Sequence, residues 1–298
     1  MSRSPIDPAL GLNLTRRRTL SGRDGPVSVV IPAHNEEATI AEVVNAAYAG
    51  LRVLGAVGEV IVSASGCSDG TVAMAARASA RVIESPLGKG NAIRAGVEAA
   101  DGKIVCLVDG DLLYYGDPPL VALLVAPLLQ GTADATIADL YWRPLYPQLW
   151  LYGFFAPLAG RLFPELLPKA GTTPWSGQRA APRELWPPAL PDDFTADLSI
   201  LLHWNDTGAR LRPVVADDWV NPQRPKPDLM EQEFSVVIRH AVKRGRLPEN
   251  EVPAFERWFA TAHELMAGYQ PEYDDPQQFE TGILESSMKE LNAQLGLS

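Results

Sequence analysis

The stretch Ile104-Val105-Cys106-Leu107-Val108-Asp109-Gly110-Asp111-Leu112 is the most informative segment of this chain for its fold. Its first five residues are apolar and mostly β-branched, which predicts a buried strand that runs directly into two carboxylates. Because ligands of open parallel sheets collect beyond the carboxyl ends of the strands, Asp109 and Asp111 would lie at a binding edge. Such acids can hold Mg²⁺, which takes few protein oxygens beside substrate phosphates. An Asp-Gly-Asp turn that only ends a strand is the alternative.

Composition excludes several classes of function. The chain has 298 residues, of which 46% are hydrophobic and 21% charged, as is ordinary for a globular enzyme. Its net charge of −10 argues against a nucleic-acid polymer as partner, because such partners require a basic surface. Cys67 and Cys106 are its only cysteines, so no disulfide framework is implied and a cytoplasmic location is expected.

No membrane association is expected from the sequence. Arg16-Arg17-Arg18 is not followed by an apolar signal core, so residues 1–25 are interpreted as a flexible N-terminal arm. The most apolar later run covers residues 149–160, contains Pro157 and is too short to span a bilayer.

Strands and helices alternate from residue 26 onward. The pattern predicts strands at 27–31, 60–63, 81–83 and 104–109, and helices at 36–49, 71–80 and 92–100, the first of them capped by Asn35. This alternation predicts an α/β, Rossmann-like fold with a mostly parallel sheet flanked by helices. A further helix at 118–129 and a strand at 135–140 would complete a nucleotide-binding half over residues 26–140.

Composition changes after residue 140. Residues 141–228 are rich in tryptophan and proline and are interpreted as the half of the same domain that binds a second substrate. Residues 229–298 are predicted to form a helical C-terminal extension, because Phe234, Val237, Ile238 and Ala241 follow a helical stripe. That extension is expected to serve packing or a homodimer contact.

Three loops should meet at one edge of the sheet, because each follows a parallel strand. They cover residues 32–37, 64–71 and 109–111. Gly88-Lys89-Gly90 adds a cation at a helix start, where free N–H groups favour an anion, and a nucleotide diphosphate fits all of these features. The chain has neither a Walker P-loop nor a dinucleotide fingerprint.

The motifs resemble, in the same order, those of GT-A nucleotide-sugar glycosyltransferases, and within these the glucosyl-3-phosphoglycerate synthases. The resemblance covers roughly residues 26–228, and its segments are 32–40, 65–71, 88–90, 109–112, 141–145, 174–178, 196–202 and 221–225. It implies the GT-A fold, a nucleotide-sugar donor, a small-molecule acceptor and Mg²⁺ or Mn²⁺.

The resemblance also implies roles for individual residues. It places the donor at Pro32, Ala33, Glu36, Ser65, Gly88, Lys89, Asp109, Gly110 and Asp111. It places the reaction at Asp197, where the family has a glutamate, at Asp111 and at the backbone carbonyl of Trp175. The acceptor would lie at Trp142, Arg143, Trp150, Ser176 and Gly177.

Two departures from the family pattern change the expectation. The family's second metal ligand is a histidine, and Asn221 stands at the matching position, with Asp217 or Asp218 as substitutes. The family's phosphate-binding Gly-Arg-x-Thr segment has no match between Pro144 and Leu162. An acceptor other than 3-phosphoglycerate is therefore expected.

Aromatic residues fill the segment where the phosphate-binding motif is missing. Tyr141, Trp142, Trp150 and Trp175 could stack on a nucleoside or nucleotide acceptor of secondary metabolism. Arg143 and Arg179 could then pair with its phosphate. The alternative is that these rings fill a core, as most Trp and Phe residues do.

The expected activity is metal-dependent transfer of a hexose, such as glucose, from a UDP- or GDP-sugar to a hydroxyl of a small acceptor, with retention at the anomeric carbon. Three alternatives stay open at this point: a sugar-phosphate nucleotidyltransferase, a polyprenyl-phosphate glycosyltransferase and a nucleotide-sugar binder without turnover.

Overall fold

The computed structural model describes residues 26–139, 150–215, 219–220, 227–267 and 276–297. The predicted arm (1–25) and the candidates Tyr141, Trp142, Arg143 and Asn221 lie outside the described residues, as do Asp217 and Asp218.

The described residues form the strands β1 (Val27–Ala33), β2 (Gly58–Ser65), β3 (Arg81–Ser85), β4 (Ile104–Leu107), β5 (Tyr114–Tyr115), β6 (Ala135–Asp139), β7 (Arg179–Pro182), β8 (Leu211–Val215) and β9 (Trp219–Val220). Seven of them form the central sheet, in the order β3-β2-β1-β4-β7-β6-β8, and β5 pairs with β9 in a separate two-stranded sheet. Strand β7 runs antiparallel to β4 and β6, and the other pairings in the central sheet are parallel. The predicted mostly parallel α/β sheet is confirmed.

Helices cover the sheet and continue beyond it. They are α1 (Ile40–Leu54), α2 (Thr71–Arg77), α3 (Lys89–Ala99), α4 (Leu120–Leu129), a π-helical turn (Leu151–Phe155), α5 (Ala156–Leu162), α6 (Leu167–Ala170), α7 (Ala196–Asp206), α8 (Pro227–Lys243), α9 (Val252–Ala267) and α10 (Pro276–Gln294), with 3₁₀ turns at Arg183–Leu185 and Glu249–Glu251.

Helix α1 begins later than the sequence predicts. Its N-cap is Thr39, and Asn35 lies before it with a φ of 57°, so the prediction of Asn35 as the cap is wrong. The Asn35 side chain instead accepts a hydrogen bond from the backbone N–H of Ser68 at 2.8 Å. Asn tolerates this left-handed conformation better than most residues. The residue therefore joins two loops instead of starting a helix.

The sheet buries both of its faces, as a parallel sheet requires. Helices α1 and α4 cover one face, where Val29 and Ile31 pack with Val44 and Leu124. On the other face Val30 packs in a cluster that includes Ile93 of α3 and Trp204 of α7. The alternating side chains of β1 thus hold a helix layer on each side.

The C-terminal helices pack on the segment that follows residue 150, and they confirm the predicted helical extension. Their aromatic core includes Phe154 and Trp258, whose ring centroids are 6.4 Å apart, and Phe234 and Phe259, at 4.4 Å. The predicted homodimer contact stays a prediction, because these apolar residues already pack within the chain. No helix within the described ranges has the length and hydropathy needed to cross a membrane.

Candidate active site

The first two loops at the carboxyl edge of the sheet are joined by hydrogen bonds. The backbone N–H of Glu36 donates to Thr71 Oγ1 at 2.7 Å, and the N–H of Gly70 donates to Glu37 Oε2 at 3.0 Å. His34 Nδ1 lies 2.7 Å from the carbonyl oxygen of Ser65. The ends of β1 and β2 are therefore held as one surface.

The acidic turn after β4 lies directly against this surface. A Cβ on Gly110 would lie 3.2 Å from the carbonyl oxygen of Pro32, 3.3 Å from Ala33 Cβ and 3.4 Å from Glu36 Cγ. Thr39 Oγ1 donates to the Gly110 carbonyl at 2.7 Å. The structure thus brings the predicted donor residues of two strand ends together around Asp109-Gly110-Asp111.

The start of helix α3 closes another side of the site. Gly88 N–H donates to Ser65 Oγ at 2.9 Å, and the N–H of Gly90 donates to the carbonyl oxygen of Asp192 at 3.0 Å. A Cβ on Gly90 would lie 1.6 Å from the Pro191 carbonyl oxygen, so only glycine fits there. The sequence predicted that the free N–H groups at the start of α3 bind a phosphate. One of them, the N–H of Gly90, is instead bound by the Asp192 carbonyl.

Lys89 lies between two carboxylates. Its Nζ is 3.0 Å from Asp109 Oδ1 and 2.7 Å from Asp197 Oδ2, and 13% of its side chain is exposed. Burial by itself lowers the pKa of Lys89, but the negative charges of Asp109 and Asp197 outweigh it and raise the pKa above its ordinary value. The lysine is therefore charged, and it joins the donor turn to helix α7.

Asp109 is held on both carboxylate oxygens. Besides Lys89, Gln178 Nε2 donates to Asp109 Oδ2 at 2.6 Å, and the Asp109 N–H donates to Gln178 Oε1 at 2.7 Å. Gly177 passes so close that a Cβ there would lie 2.5 Å from Asp109 Oδ2. The turn of Trp175, Ser176 and Gly177 therefore lies directly against Asp109, and the predicted reaction and acceptor roles of these residues stay predictions.

Arg179 is fully buried at the start of β7 and contacts protein groups only within the described residues. It donates to the Ser176 carbonyl from Nε at 2.9 Å and from Nη2, and to the Asp197 carbonyl from Nη1 at 2.8 Å. Burial lowers the pKa of Arg179, and the charges of Asp197 and Asp109 act in the opposite direction. The prediction that Arg179 pairs with an acceptor phosphate is wrong, because its hydrogen-bonding atoms are turned inward.

Asp197 presents one oxygen with unused bonding capacity. Its Oδ2 contacts Lys89, while Oδ1 is buried and has no hydrogen-bond partner among the described residues, with Arg179 Nη2 3.6 Å away. A buried carboxylate oxygen without a hydrogen bond is costly unless a ligand completes it. A sugar or acceptor hydroxyl could donate to this atom.

Asp111 fits a metal that is shared with substrate phosphates. It is half-buried two residues beyond Asp109, at the edge where the three loops meet. Within the described ranges no three His, Cys, Asp or Glu side chains cluster as a complete protein metal site. Mg²⁺ needs no such cluster, because it commonly takes one or two carboxylates together with waters and phosphate oxygens. The carboxylate of Asp111 is therefore a suitable ligand for Mg²⁺ or Mn²⁺.

The aromatic candidates separate into two groups. Trp150 is 7% exposed and its indole N–H donates to Glu233 Oε2 at 2.9 Å, which favours the core interpretation, and its direct stacking on an acceptor stays a prediction. Trp175 is only half-buried, and its ring packs at 6.0 Å from Trp150 and 6.1 Å from Phe155. Trp175 keeps surface for a ligand.

Glu233 of helix α8 is a buried acid that contacts the acceptor candidate Trp150, and the sequence analysis did not single it out. It is 2% exposed, and burial raises its pKa to about 8, with the Trp150 hydrogen bond lowering it and the charge of Asp197 raising it. A signal was present, because Glu233 falls on the apolar stripe between Met230 and Val237. A carboxyl group on a buried helix face is costly unless another group forms a hydrogen bond or an ion pair with it.

Comparison with known proteins identifies a related family. Residues 28–169 match the family model described as Glycosyl transferase family 2. Over 178 residues the chain is 38% identical to glucosyl-3-phosphoglycerate synthase of Mycobacterium tuberculosis, an alignment that covers 53% of this chain and 54% of the relative. An uncharacterized glycosyltransferase of Mycobacterium bovis is 37% identical over 123 residues, covering 39% of this chain and 52% of that protein. The chain spans about half the length of the curated relatives it matches.

Solved structures extend the likeness to most of the fold. A structure of the M. tuberculosis synthase with phosphoglyceric acid superposes with a TM-score of 0.63 at 29% identity, covering 74% of this chain and 80% of that one. A complex of the same enzyme with Mn²⁺, UDP-glucose and glycerol 3-phosphate gives 0.61 at 30% identity, with 76% and 82% coverage. The GT-A fold predicted from the sequence is confirmed.

Proposed function

We propose an activity from one premise: the chain belongs to the GT-A glycosyltransferases. It transfers a hexose, glucose in the first instance, from a UDP- or GDP-sugar to a hydroxyl of a small acceptor, with Mg²⁺ or Mn²⁺. One observation carries the proposal. Lys89 contacts both Asp109 of the donor turn and Asp197 of helix α7, so the donor loops and the predicted reaction centre share one site.

The donor would lie across the joined strand ends. Pro32, Ala33, Glu36 and Ser65 border the nucleoside, and Asp109 and Gly110 border the ribose. The loops are fixed before binding by backbone hydrogen bonds such as Glu36 N–H to Thr71 Oγ1 at 2.7 Å. Such preorganisation lowers the cost of binding.

Asp111 would hold the metal together with Asn221, which lies outside the described residues, or with Asp217 or Asp218 in its place. When bound, the ion supplies positive charge to the diphosphate oxygens. Lys89 adds a fixed charge nearby, which stays positive because Asp109 and Asp197 raise its pKa. Fixed charge aimed at a leaving group is the largest contribution in many enzymes.

The transfer step involves one bond broken and one formed. The bond from the anomeric carbon to the diphosphate oxygen breaks, and its electron pair leaves with the nucleoside diphosphate. The acceptor oxygen bonds to the same carbon from the same face, and its proton passes to the departing phosphate. Asp197 Oδ1, which has no hydrogen bond in the described part of the chain, accepts one from a sugar or acceptor hydroxyl and orients it.

The acceptor is proposed to be a nucleoside or nucleotide and not 3-phosphoglycerate. Trp175 offers a half-buried ring beside the reaction centre, and Trp142 and Arg143 lie outside the described residues. The relatives are named for phosphoglycerate, so this compound is the decisive competitor.

A donor and acceptor panel tests the proposal. The purified protein is incubated with UDP-glucose or GDP-glucose, Mg²⁺ or Mn²⁺, and uridine, cytidine 5′-monophosphate or 3-phosphoglycerate. We expect release of nucleoside diphosphate and a product heavier by one hexose, detected by mass spectrometry. Pyrophosphate release would instead indicate a nucleotidyltransferase, no turnover would indicate a binder, and a phosphoglycerate product would contradict the acceptor proposal.

A further inference from the structure

Helix α8 of the C-terminal extension carries a carboxyl group into the acceptor side of the site. Glu233 is 2% exposed, and its Oε2 accepts the indole N–H of Trp150 at 2.9 Å. These two residues are 83 positions apart in the chain, so the bond joins the extension to the segment that replaces the family's phosphate-binding motif.

From Trp150 a continuous set of contacts reaches the reaction centre. The Trp150 ring packs 6.0 Å from Trp175, and the next residue, Ser176, accepts hydrogen bonds on its carbonyl from Arg179. Arg179 in turn donates to the Asp197 carbonyl at 2.8 Å. A shift of the Trp150 indole would therefore move the turn that lies against the acceptor position.

The charges around Glu233 favour its protonated form. Asp197 of α7 is the charged group whose field acts on it within the described residues, and the cations Lys89 and Arg179 are already bound to Asp197. With burial, this holds the pKa of Glu233 at about 8. The carboxyl is neutral at pH 7 and can hold the indole without placing a second negative charge beside Asp197.

We propose that Glu233 is a positioning residue for the acceptor: it fixes the Trp150 indole and, through it, the turn of Trp175, Ser176 and Gly177. The inference rests on the proposed function. It gives the C-terminal extension a part in the acceptor site, where the sequence predicted packing or dimer contact alone.

Two variants and a matched control test the contact. Trp150→Phe keeps the aromatic ring and removes the N–H, while Glu233→Gln keeps an oxygen acceptor for the indole. Trp258→Phe is the control, because its indole N–H donates to the Ser287 carbonyl at 3.0 Å in the same aromatic cluster. A merely structural role would affect Trp150→Phe and Trp258→Phe alike.

The expected result is a change in acceptor KM. With UDP-glucose and the nucleoside acceptor that gives product, Trp150→Phe raises acceptor KM about tenfold, the equivalent of one lost hydrogen bond. Donor KM stays within about twofold of the wild type, and Trp258→Phe leaves both constants near the wild-type values. In the wild type, acceptor KM should rise above pH 8, because ionised Glu233 adds a second negative charge near Asp197. Glu233→Gln cannot ionise, so its acceptor KM should equal that of the wild type at pH 7 and stay constant above pH 8. Equal acceptor KM values in the two Trp→Phe variants would overturn the proposal.

An NMR measurement separates this inference from the proposed function. The indole N–H signal that disappears in Trp150→Phe should shift in the wild type with a midpoint near pH 8 and stay constant in Glu233→Gln. An indole signal that has the same chemical shift in the wild type and in Glu233→Gln at every pH overturns the Glu233 contact. A protein that shows the shift but transfers no hexose overturns the proposed function alone.

Discussion

The proposed donor side and the proposed acceptor side of the site are built in different ways. On the donor side, loops that follow neighbouring parallel strands are joined by hydrogen bonds between residues about 35 positions apart, such as Glu36 and Thr71. On the acceptor side, Trp150 and Glu233 meet across 83 positions through a hydrogen bond between side chains, and the buried Arg179 donates to the carbonyls of Ser176 and Asp197. The donor side therefore depends on contacts between neighbouring strand ends, and the acceptor side on buried side chains that join distant segments.

This difference predicts how substitutions on each side affect ligand binding and stability. Substitutions on the donor side should remove a ligand contact and leave the fold intact. Substitutions on the acceptor side should change stability and binding together, because their charges are compensated only inside the folded protein. Lys89 belongs to both sides, and it provides the sharpest test of the contrast.

The largest effect is expected at Asp111. Asp111→Ala should lower kcat/KM about a thousandfold, because a ligand of the proposed metal is lost, while the unfolding midpoint stays close to that of the wild type. Asp101→Asn serves as control, since the Asp101 side chain is 83% exposed at the opposite edge of the sheet. Near-normal turnover in Asp111→Ala would show that the donor side does not work through this carboxylate.

The same contrast explains how much could be predicted from sequence. The donor loops were predicted because each follows a β-branched strand, and parallel pairing alone brings Pro32, Ser65 and Asp109 to one edge. The pairing of Lys89 with Asp197 could not be predicted, since nothing local to either residue records a contact across more than a hundred positions. Strand β7 was missed because Arg179-Ala180-Ala181-Pro182 lacks an apolar run. The position of Glu233 on the apolar stripe of α8 indicated a buried acid. The sequence could not show that its partner is Trp150, 83 positions away.

Lys89→Met should produce the second largest effect. It leaves Asp109 and Asp197 buried without their shared cation, which should lower the free energy of unfolding by about 3 to 5 kcal/mol and lower kcat/KM about a hundredfold. Chemical denaturation measures the change. The double variant Lys89→Met with Asp197→Asn should recover part of the stability but none of the activity. Unchanged stability in the single variant would contradict the charge pairing.

Gly90→Ala tests the contact between the two sides. The added Cβ would lie 1.6 Å from the Pro191 carbonyl oxygen, so α3 and the segment before α7 must separate. Thermal denaturation should show that the free energy of unfolding decreases by up to about 3 kcal/mol. Gly282→Ala in helix α10 is the matched control, because its Cβ meets nothing within 4 Å, and it should gain about 0.5 to 1 kcal/mol. Equal effects at both glycines would remove the argument for a tight junction.

The pH dependence of stability tests the acceptor side in a different way. Burial raises the pKa of Glu233 from the ordinary 4.5 to about 8, so between these values the folded protein holds one proton more than the unfolded chain. The free energy of unfolding should therefore fall as the pH rises through this window, by at most about 1.4 kcal/mol per pH unit, and the fall should end above pH 8. Glu233→Gln cannot bind or lose this proton, so its unfolding free energy should decrease less between pH 6 and 8, as measured by urea denaturation at each pH. Parallel curves for the two proteins would mean that Glu233 is ionised in the folded state. The acceptor side would then contain two ionised carboxylates, Asp197 and Glu233. It would differ from the donor side only in the sequence separation of the residues that contact each other.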